Sequence, residues 1–185
     1  LVLMASLGLM ALGRELGARG RAAVMWTAIL GVAMSSLVGV LQYLNQTESG
    51  AFAMVAGRSS GLTSNPVYFG ACAAGAFGVI VAKSSTSRRV QVADVLLALL
   101  FGAAISLSAS RVALGAAVLV GVVSCVRHRN QRVLAVSGGF VAGVAAGTLL
   151  TYTVGNGLNS IDRLGDGGAS RTTVWRYGFD ALDRK

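Results

Sequence analysis

One arginine in an apolar setting is the first residue in this sequence that could carry chemistry. Arg111 closes the string Ser108-Ala109-Ser110-Arg111, which lies between two long apolar stretches. A guanidinium keeps its proton at any ordinary pH, so an arginine in such surroundings needs a polar or anionic partner. A structural carboxylate, water at a membrane surface and an anionic substrate all fit. The third partner would make Arg111 a binding residue for a negatively charged ligand.

A second group of candidate residues follows a loop rich in glycine, asparagine and aspartate near the C-terminal end of the sequence. Ser170 predicts the N-cap of a helix. Arg171 and Trp175 share one face of it, and Arg176 and Asp180 are spaced for an ion pair. Periodicity alone favours an interfacial amphipathic helix with Trp175 at headgroup level. The alternative directs Arg171 at an anionic ligand.

The elements that position these residues are membrane helices. The chain has 185 residues, of which 54% are hydrophobic and 12% charged, and a soluble domain of this size could not bury so much apolar surface. Several stretches approach the roughly 20 residues that cross a bilayer core. Full spans are predicted near residues 22–44, 66–82, 92–109, 112–126 and 133–151, after a partial one at 1–12.

The predicted fold is therefore all-α, a polytopic membrane bundle of about five to six transmembrane helices over residues 1–151. Residues 152–185 would begin an extracytoplasmic loop region with the amphipathic helix. We expect both ends to be truncated, because the chain starts with Leu1 rather than methionine and stops within a helical pattern.

The net charge of +9 is distributed as membrane topology requires rather than as nucleic-acid binding requires. Basic residues cluster in three short segments: Arg14, Arg19 and Arg21; Lys83, Arg88 and Arg89; Arg127, Arg129 and Arg132. The positive-inside rule places these segments in the cytoplasm, in contact with phospholipids. Residues 45–65, the turn at Arg111 and residues 152–185 would then lie outside.

Small residues and cysteines give two further expectations. Ridges of small residues at four-residue spacing predict close helix packing. These ridges are Gly31, Ser35 and Gly39; Ala71 and Gly75; Gly139, Gly143 and Gly147. Cys72 and Cys125 would lie near opposite membrane faces, so we expect no disulfide between them. With a single histidine, His128, no metal site is predicted.

Three strings in fixed order resemble the O-antigen ligase and O-antigen polymerase superfamily of bacterial envelope glycan assembly. They are Thr63-Ser64-Asn65-Pro66-Val67-Tyr68, Ser108-Ala109-Ser110-Arg111 and Ser170-Arg171-Thr172-Thr173-Val174-Trp175-Arg176. The resemblance extends from about residue 61 to residue 180. Each motif alone is unspecific, and the order, spacing and shared outward orientation carry the likeness.

This resemblance implies a glycosyltransferase-C-like, metal-independent enzyme of the bacterial cytoplasmic membrane that needs no cofactor. It would transfer a glycan from an undecaprenyl-diphosphate donor to an acceptor sugar, on a lipid core or on another repeat unit. Arg111 and Arg171 match the diphosphate-facing catalytic arginines. Substrate-binding roles would fall to Arg176, Asn65, Trp175 and Ser110, although we expect the Asn-Pro motif to be structural.

The sequence departs from the family pattern in its general base. Many ligases carry an outer-loop histidine downstream of the matched region, and His128 is predicted on the wrong side of the membrane. Asp162 and Asp166 are alternative bases, although aspartates in such loops commonly form turns. We expect the fragment alone to be inactive.

Two other classes of function remain open. A transporter for an anionic solute would place Arg111 along its path, but polar groups are then expected near the bilayer midplane. Asp94, the acidic residue of the middle spans, is predicted near a cytoplasmic end instead. The third class is a packing subunit of an envelope complex. Ligase and polymerase are not distinguished.

Overall fold

The computed structural model describes residues 17–46, 53–55, 57–85 and 91–154 of the chain. These residues form five α-helices, with one isolated β-bridge between Val55 and Arg58. The helices are α1 (Ala18–Leu44), α2 (Pro66–Ser85), α3 (Val92–Leu107), α4 (Arg111–His128) and α5 (Gln131–Thr153). The predicted partial span at 1–12 and the predicted helix after Ser170 lie outside the described residues, and with them Arg171, Trp175 and Arg176.

Four of these helices, α1, α2, α4 and α5, are long and apolar enough to cross a membrane. The five predicted full spans are all found as helices, and most of them extend a few residues beyond the predicted limits. The exception is α3, predicted to reach residue 109, which ends at Leu107 because Ala109 takes a left-handed conformation with φ of 50°. Its 16 residues measure about 24 Å, short of the roughly 30 Å of a bilayer core.

The most extensive helix pair joins α3 and α5, which run parallel. A Cβ at Gly139 would stand 2.8 Å from the carbonyl oxygen of Val95, and one at Gly147 would stand 2.9 Å from that of Ala103. Gly143, between them, packs still more closely on the backbone of Leu99. The four-residue ridge predicted on α5 is therefore confirmed, since only glycine allows the two backbones to approach this far.

The other two predicted ridges of small residues do not bring two helix backbones together along their whole length. In the first, Gly39 is packed against the ring of Phe69, where a Cβ would lie 2.6 Å from a ring carbon. Gly31 of the same ridge is exposed and a Cβ there would meet nothing within 4 Å, so the prediction of close packing was wrong for Gly31. Ala71 and Gly75 are exposed, and a Cβ at Gly75 would meet nothing within 4 Å, so the prediction that they pack between helices was wrong. They line an open groove on the outside of the bundle instead.

Buried aromatic and aliphatic side chains fill the space between the helices. The rings of Phe77 and Phe140 stack with centroids 4.2 Å apart, which joins α2 to α5. Further fully buried large side chains come from α1, α2, α3 and α5: Ile29, Phe69, Ile80, Phe101, Ile105, Val133 and Val136. This apolar core separates two polar ends of the bundle, named below by the charged residue that defines each.

The Asp94 end is built around an ion cluster that ties four helices together. The Asp94 carboxylate is fully buried and binds the guanidinium of Arg132 through one oxygen. Its other oxygen lies 3.2 Å from the Lys83 ammonium, which also stands 4.1 Å above the Trp26 ring. Arg132 is only 1% exposed, so the prediction that it is a loop charge contacting phospholipid was wrong. A buried carboxylate needs its charge neutralised, and Arg132 and Lys83 supply that.

Candidate functional site

The Arg111 end contains the tight turn Ser108–Arg111, which connects α3 to α4. Ser108 caps α3, and its hydroxyl donates to the carbonyl of Ile105 at 2.7 Å. The Ser110 hydroxyl caps α4 by accepting from the backbone N–H of Ala113 at 3.4 Å. Both serines are buried, so these bonds satisfy hydroxyl groups that water cannot reach. The serines of the motif are thus needed to build the turn.

Arg111 is the first residue of α4 and is half-buried. The N-terminus of a helix carries a partial positive charge, so a cation in the first turn opposes the helix dipole. An acidic residue there would favour the helix, and the first turn of α4 has none. The helix dipole therefore does not account for an arginine at this position.

Residues 57–65 fold back into the bundle beside this turn. The Gln42 side chain holds them by donating to the Gly61 carbonyl at 2.9 Å and accepting from the N–H of Gly61 at 3.0 Å. The Ser59 hydroxyl donates to the Gly39 carbonyl at 2.8 Å, and the Ser59 N–H donates to the Leu107 carbonyl at 3.1 Å. We call residues 57–65 the docked loop.

The turn is recessed below the ends of the neighbouring helices. Ser59 is bonded to the carbonyl of Leu107 and to that of Gly39, so the end of α3 lies level with Gly39 of α1. From Gly39, α1 continues to Leu44, about 8 Å farther. On the other side Ser106 is bonded to Thr148 at 3.0 Å, and α5 continues by about the same distance to Thr153. Arg111 therefore begins its helix about 8 Å below the ends of α1 and α5.

Arg58 is a residue of this end to which sequence reasoning gave no role. Its Nε donates to the carbonyl of Ser108 at 2.8 Å, within the turn that leads to Arg111. A tight hairpin presents it: Val55 and Arg58 exchange two backbone hydrogen bonds, and Gly57 supplies the positive φ of 69°. One signal could have found it, because Arg58 is the single basic residue in residues 45–65.

Asn65 performs the capping role that the Asn-Pro pair predicts. Its side-chain oxygen accepts from the N–H of Val67 at 2.8 Å, and its carbonyl accepts from the N–H of Phe69 at 3.0 Å. Pro66 then takes the first helical position, where a missing N–H costs nothing. These contacts agree with the expectation that the Asn-Pro motif is structural; its assignment as a substrate-binding residue stays a prediction.

An open groove runs along the outside of the bundle between α2 and α4, starting at Ser110. Its volume is about 300 Å³, and its walls are almost entirely apolar. Small residues keep it open: Ala71, Ala74, Gly75 and Gly78 on α2, and Ala113 and Ala116 on α4. A second apolar groove, of about 410 Å³, lies between α4 and α5 and includes Phe77 and Cys125.

Of the predicted site residues, the structure brings Ser110, Arg111 and Asn65 to the same end of the bundle. The close approach of α2 explains this, since a Cβ at Gly70 would lie 2.6 Å from the Ser108 hydroxyl and 3.0 Å from the Ser110 Cβ. The candidate bases Asp162 and Asp166, like the predicted site residues of the string from Ser170 to Arg176, lie outside the described residues.

The structure also places the two cysteines and the histidine, which could react or bind a metal ion. Cys72 and Cys125 have free thiols, the first exposed on α2 and the second half-buried on α4. His128 is exposed as the last residue of α4. Within the described ranges no group of three or more histidine, cysteine, aspartate or glutamate side chains could hold a metal ion.

Comparison with known proteins adds no identification. No protein-family model, no curated protein and no solved structure matches the chain.

Proposed function

We propose that the chain is part of a membrane glycosyltransferase of the O-antigen ligase or polymerase type, glycosyltransferase-C-like, in a bacterial cytoplasmic membrane. Arg111 would bind the diphosphate of an undecaprenyl-diphosphate-linked glycan while the glycan passes to an acceptor sugar. The observation that carries this proposal is the position of Arg111, half-buried, below the ends of α1 and α5 and against the dipole of its own helix.

The distribution of basic residues supports an outward-facing Arg111 end. Arg19 and Arg21 begin α1, Lys83 ends α2, and Arg127 lies in the last turn of α4. All of these lie at or beyond the Asp94 end, which the positive-inside rule assigns to the cytoplasm. A lipid-linked glycan donor is used on the opposite side, where Arg111 would meet it.

The short α3 argues against Arg111 as a simple interfacial anchor. An anchoring arginine extends to the headgroup level at the end of a full span. Along α3 the distance from Asp94 to Ser108 is only about 20 Å, compared with a hydrocarbon core of about 30 Å. If the Asp94 end lies near the cytoplasmic surface, the turn lies several ångströms below the outer one. An arginine at that depth requires a bound partner or a water-filled recess.

The chemistry of the proposed reaction suits a guanidinium. When the bond between sugar and diphosphate breaks, the leaving diphosphate gains negative charge. A planar fork of donors that cannot lose its proton stabilises this charge where it develops. Arg171 would supply a second fork, and Trp175 and Arg176 would complete the binding site, from the region outside the described residues. The donor and acceptor are the partners, and no cofactor takes part in this scheme.

The groove between α2 and α4 supports a lipid-carried donor over a soluble one. It starts at Ser110, next to Arg111, and continues toward Gly78 and Val120 with apolar walls open to the outside of the bundle. A diphosphate held by Arg111 at the turn would have an apolar channel for its polyprenyl chain directly beside it. A water-soluble anion would have no use for such a channel.

The alternative, a transporter of an anionic solute, receives less support. A transport path needs polar groups along the middle of the bundle. Between the two ends lie Phe69, Phe77 and Phe101, which are fully buried and packed in one core. The described carboxylate, Asp94, is bound by Lys83 and Arg132. Uptake of a labelled anion into vesicles would identify a transporter directly.

The experiment that tests the proposal uses the full-length gene with Arg111→Ala and Arg111→Lys at matched membrane expression. Surface glycan and lipid-linked donor are measured in the same cells. We expect both variants to lose glycan and accumulate donor, because lysine keeps the charge but not the two-pronged donor geometry. Arg127→Ala, an exposed arginine at the opposite end, is the matched control. Retention of glycan by both Arg111 variants would refute the proposal.

A further inference from the structure

We infer that the groove between α4 and α5 binds one anionic phospholipid, with an acyl chain in the groove and the headgroup phosphate at Arg129. This site lies toward the Asp94 end and does not depend on the function proposed for Arg111. Three features carry the inference: the length and width of the groove, the position of Arg129 beside it, and the charge at its end.

The groove is an apolar slot on the outside of the bundle, with a volume of about 410 Å³. The buried, stacked rings of Phe77 and Phe140 line its inner side. From Val118 to Val126 the wall formed by α4 rises about 12 Å, close to half of the roughly 30 Å hydrocarbon core. The groove therefore covers the depth that the acyl chains of one leaflet occupy.

The groove is too narrow for a third helix. Helix α4 ends at His128 and α5 begins at Gln131, so the Cα atoms of these residues are at most about 11 Å apart. Farther along, the Cys125 thiol donates to the Ser137 hydroxyl at 3.4 Å, and both residues line the groove. A helix with its side chains is about 10–12 Å wide. The groove thus admits an unbranched hydrocarbon chain and not a helix from a partner protein or a second copy.

Arg129 lies at the loop end of this groove. Its backbone N–H donates to the carbonyl of Cys125 at 3.1 Å, which places Arg129 one helical turn beyond a residue of the groove wall. Its side chain is exposed. Arg127 is exposed as well, but it lies two residues beyond Cys125, about 200° around the helix, and faces away from the groove. Of these two arginines, Arg129 is therefore the one that a lipid in the groove would meet.

The charge at this end of the groove favours an anionic headgroup. Within the described ranges the one carboxylate is that of Asp94, which is fully buried and bound by Lys83 and Arg132. It is therefore not accessible to the exposed side chain of Arg129. A guanidinium binds the oxygens of a phosphate in pairs. Phosphatidylglycerol carries a net negative charge, whereas the choline of phosphatidylcholine cancels the charge of its phosphate.

The backbone of Arg129 allows a selective variant. Arg129 takes the left-handed conformation, with φ of 43° and ψ of 29°, which glycine adopts without strain. Arg129→Gly therefore removes the side chain and relieves the backbone together. We expect its unfolding midpoint, in detergent without added phospholipid, to equal or exceed that of the unaltered protein. A loss of lipid binding by this variant then has no cause in the fold.

The test uses the full-length protein in detergent, with native mass spectrometry to measure bound phosphatidylglycerol and phosphatidylcholine that carry the same dioleoyl chains. Arg129→Gly and Arg129→Gln remove the headgroup contact. Gly138→Leu fills the groove at a position where a Cβ meets nothing within 4 Å. The matched controls, Arg127→Gln and Gly115→Leu, lie on α4 outside the groove lining.

We expect the unaltered protein to bind phosphatidylglycerol more tightly than phosphatidylcholine. Both Arg129 variants should weaken phosphatidylglycerol binding by about fivefold or more, because one basic residue near a headgroup contributes that much. Gly138→Leu should weaken it by about tenfold, since roughly two methylene groups of the lipid lose their contact. Both controls should bind as the unaltered protein does.

Three results would overturn the inference. Equal losses in Arg127→Gln and Arg129→Gln would mean that the basic loop attracts lipid without a defined site. Unchanged phosphatidylglycerol binding by Gly138→Leu would show that no acyl chain occupies the groove. Dissociation of a dimer by Gly138→Leu, with lipid binding unchanged, would assign the groove to a second copy of the chain.

Discussion

The two polar ends of this bundle treat their arginines in opposite ways. At the Asp94 end, Arg132 is 1% exposed and is bound to a carboxylate within the protein. At the Arg111 end, Arg58 is held by a backbone carbonyl, and Arg111 begins a helix whose dipole opposes its charge. The first arrangement neutralises charge and ties helices together. The second places two arginines beside the turn Ser108–Arg111, where the proposed function has Arg111 bind an anion.

According to this contrast, the Asp94 end contributes mainly to stability and the Arg111 end mainly to function. Substitutions at the Asp94 end and along the α3–α5 contact should lower the free energy of unfolding and leave ligand affinity unchanged. Substitutions at the Arg111 end and in its groove should mainly lower ligand affinity. The predictions below test that separation, from the largest expected effect to the smallest.

The largest effect is expected for Asp94→Asn. It removes the carboxylate that binds both Lys83 and Arg132, and so leaves a buried guanidinium without its counter-charge. Breaking a buried pair in this way costs about 3–5 kcal/mol. Unfolding in detergent should show this loss, and the double variant Asp94→Leu with Arg132→Leu should recover part of it. An Asp94→Asn protein as stable as the unaltered one would refute the structural role of the cluster.

A smaller loss, about 1–3 kcal/mol or somewhat more, is expected for Gly143→Val, because its side chain would collide with the Leu99 backbone. Gly138→Val is the matched control on the same helix, since a Cβ there meets nothing within 4 Å. The midpoint of unfolding compares the two. If both variants melt alike, the close contact of α3 with α5 does not contribute to stability.

Much of this α3–α5 contact could be predicted from the sequence, and the ion cluster could not. Glycines at four-residue spacing indicate a close helix contact because a helix returns to the same face every three to four residues. The partners of Asp94 come from α2 and α5, and no local pattern states which distant cation a carboxylate meets. For the same reason Arg132, read with its exposed neighbours Arg127 and Arg129, was assigned to a basic loop.

At the candidate site, too, some contacts could be predicted from the sequence and others could not. Asn65 and Ser110 act within three residues of their own positions, so capping rules predict their contacts. The contact of Arg58 with Ser108 joins residues 50 positions apart and depends on how the docked loop enters the bundle. The early end of α3 escaped prediction as well, because the apolar pattern continues while the left-handed Ala109 stops the helix.

The groove gives the third prediction. Gly75→Leu should fill part of it and weaken binding of a polyprenyl diphosphate by about tenfold, because roughly two methylene groups of the lipid would lose their contact. Binding of inorganic pyrophosphate should stay unchanged. Gly115→Leu, on open surface outside the groove lining, is the control for an added leucine. If Gly75→Leu and Gly115→Leu weaken binding of the polyprenyl diphosphate equally, the groove is not part of the binding site.

The smallest effects, about 1 kcal/mol of stability each, are expected when the N-cap side chains are removed from the two ends. Ser110 caps α4 at the Arg111 end, and Asn130 caps α5 at the Asp94 end by accepting from the N–H of Arg132 at 3.0 Å. Ser110→Ala and Asn130→Ala should melt at similar temperatures, but only Ser110→Ala should weaken farnesyl diphosphate binding. A shared loss of binding would contradict the separation of the two ends.

The most direct test of that separation replaces one arginine by lysine at each end and measures two quantities on the same full-length protein. Arg111→Lys should weaken farnesyl diphosphate binding by about tenfold or more while the unfolding midpoint is kept, since lysine lacks the planar fork. Arg132→Lys should lower the midpoint and keep the affinity, since its partner is the buried Asp94. If Arg111→Lys binds the diphosphate as tightly as the unaltered protein, Arg111 is not a phosphate-binding residue.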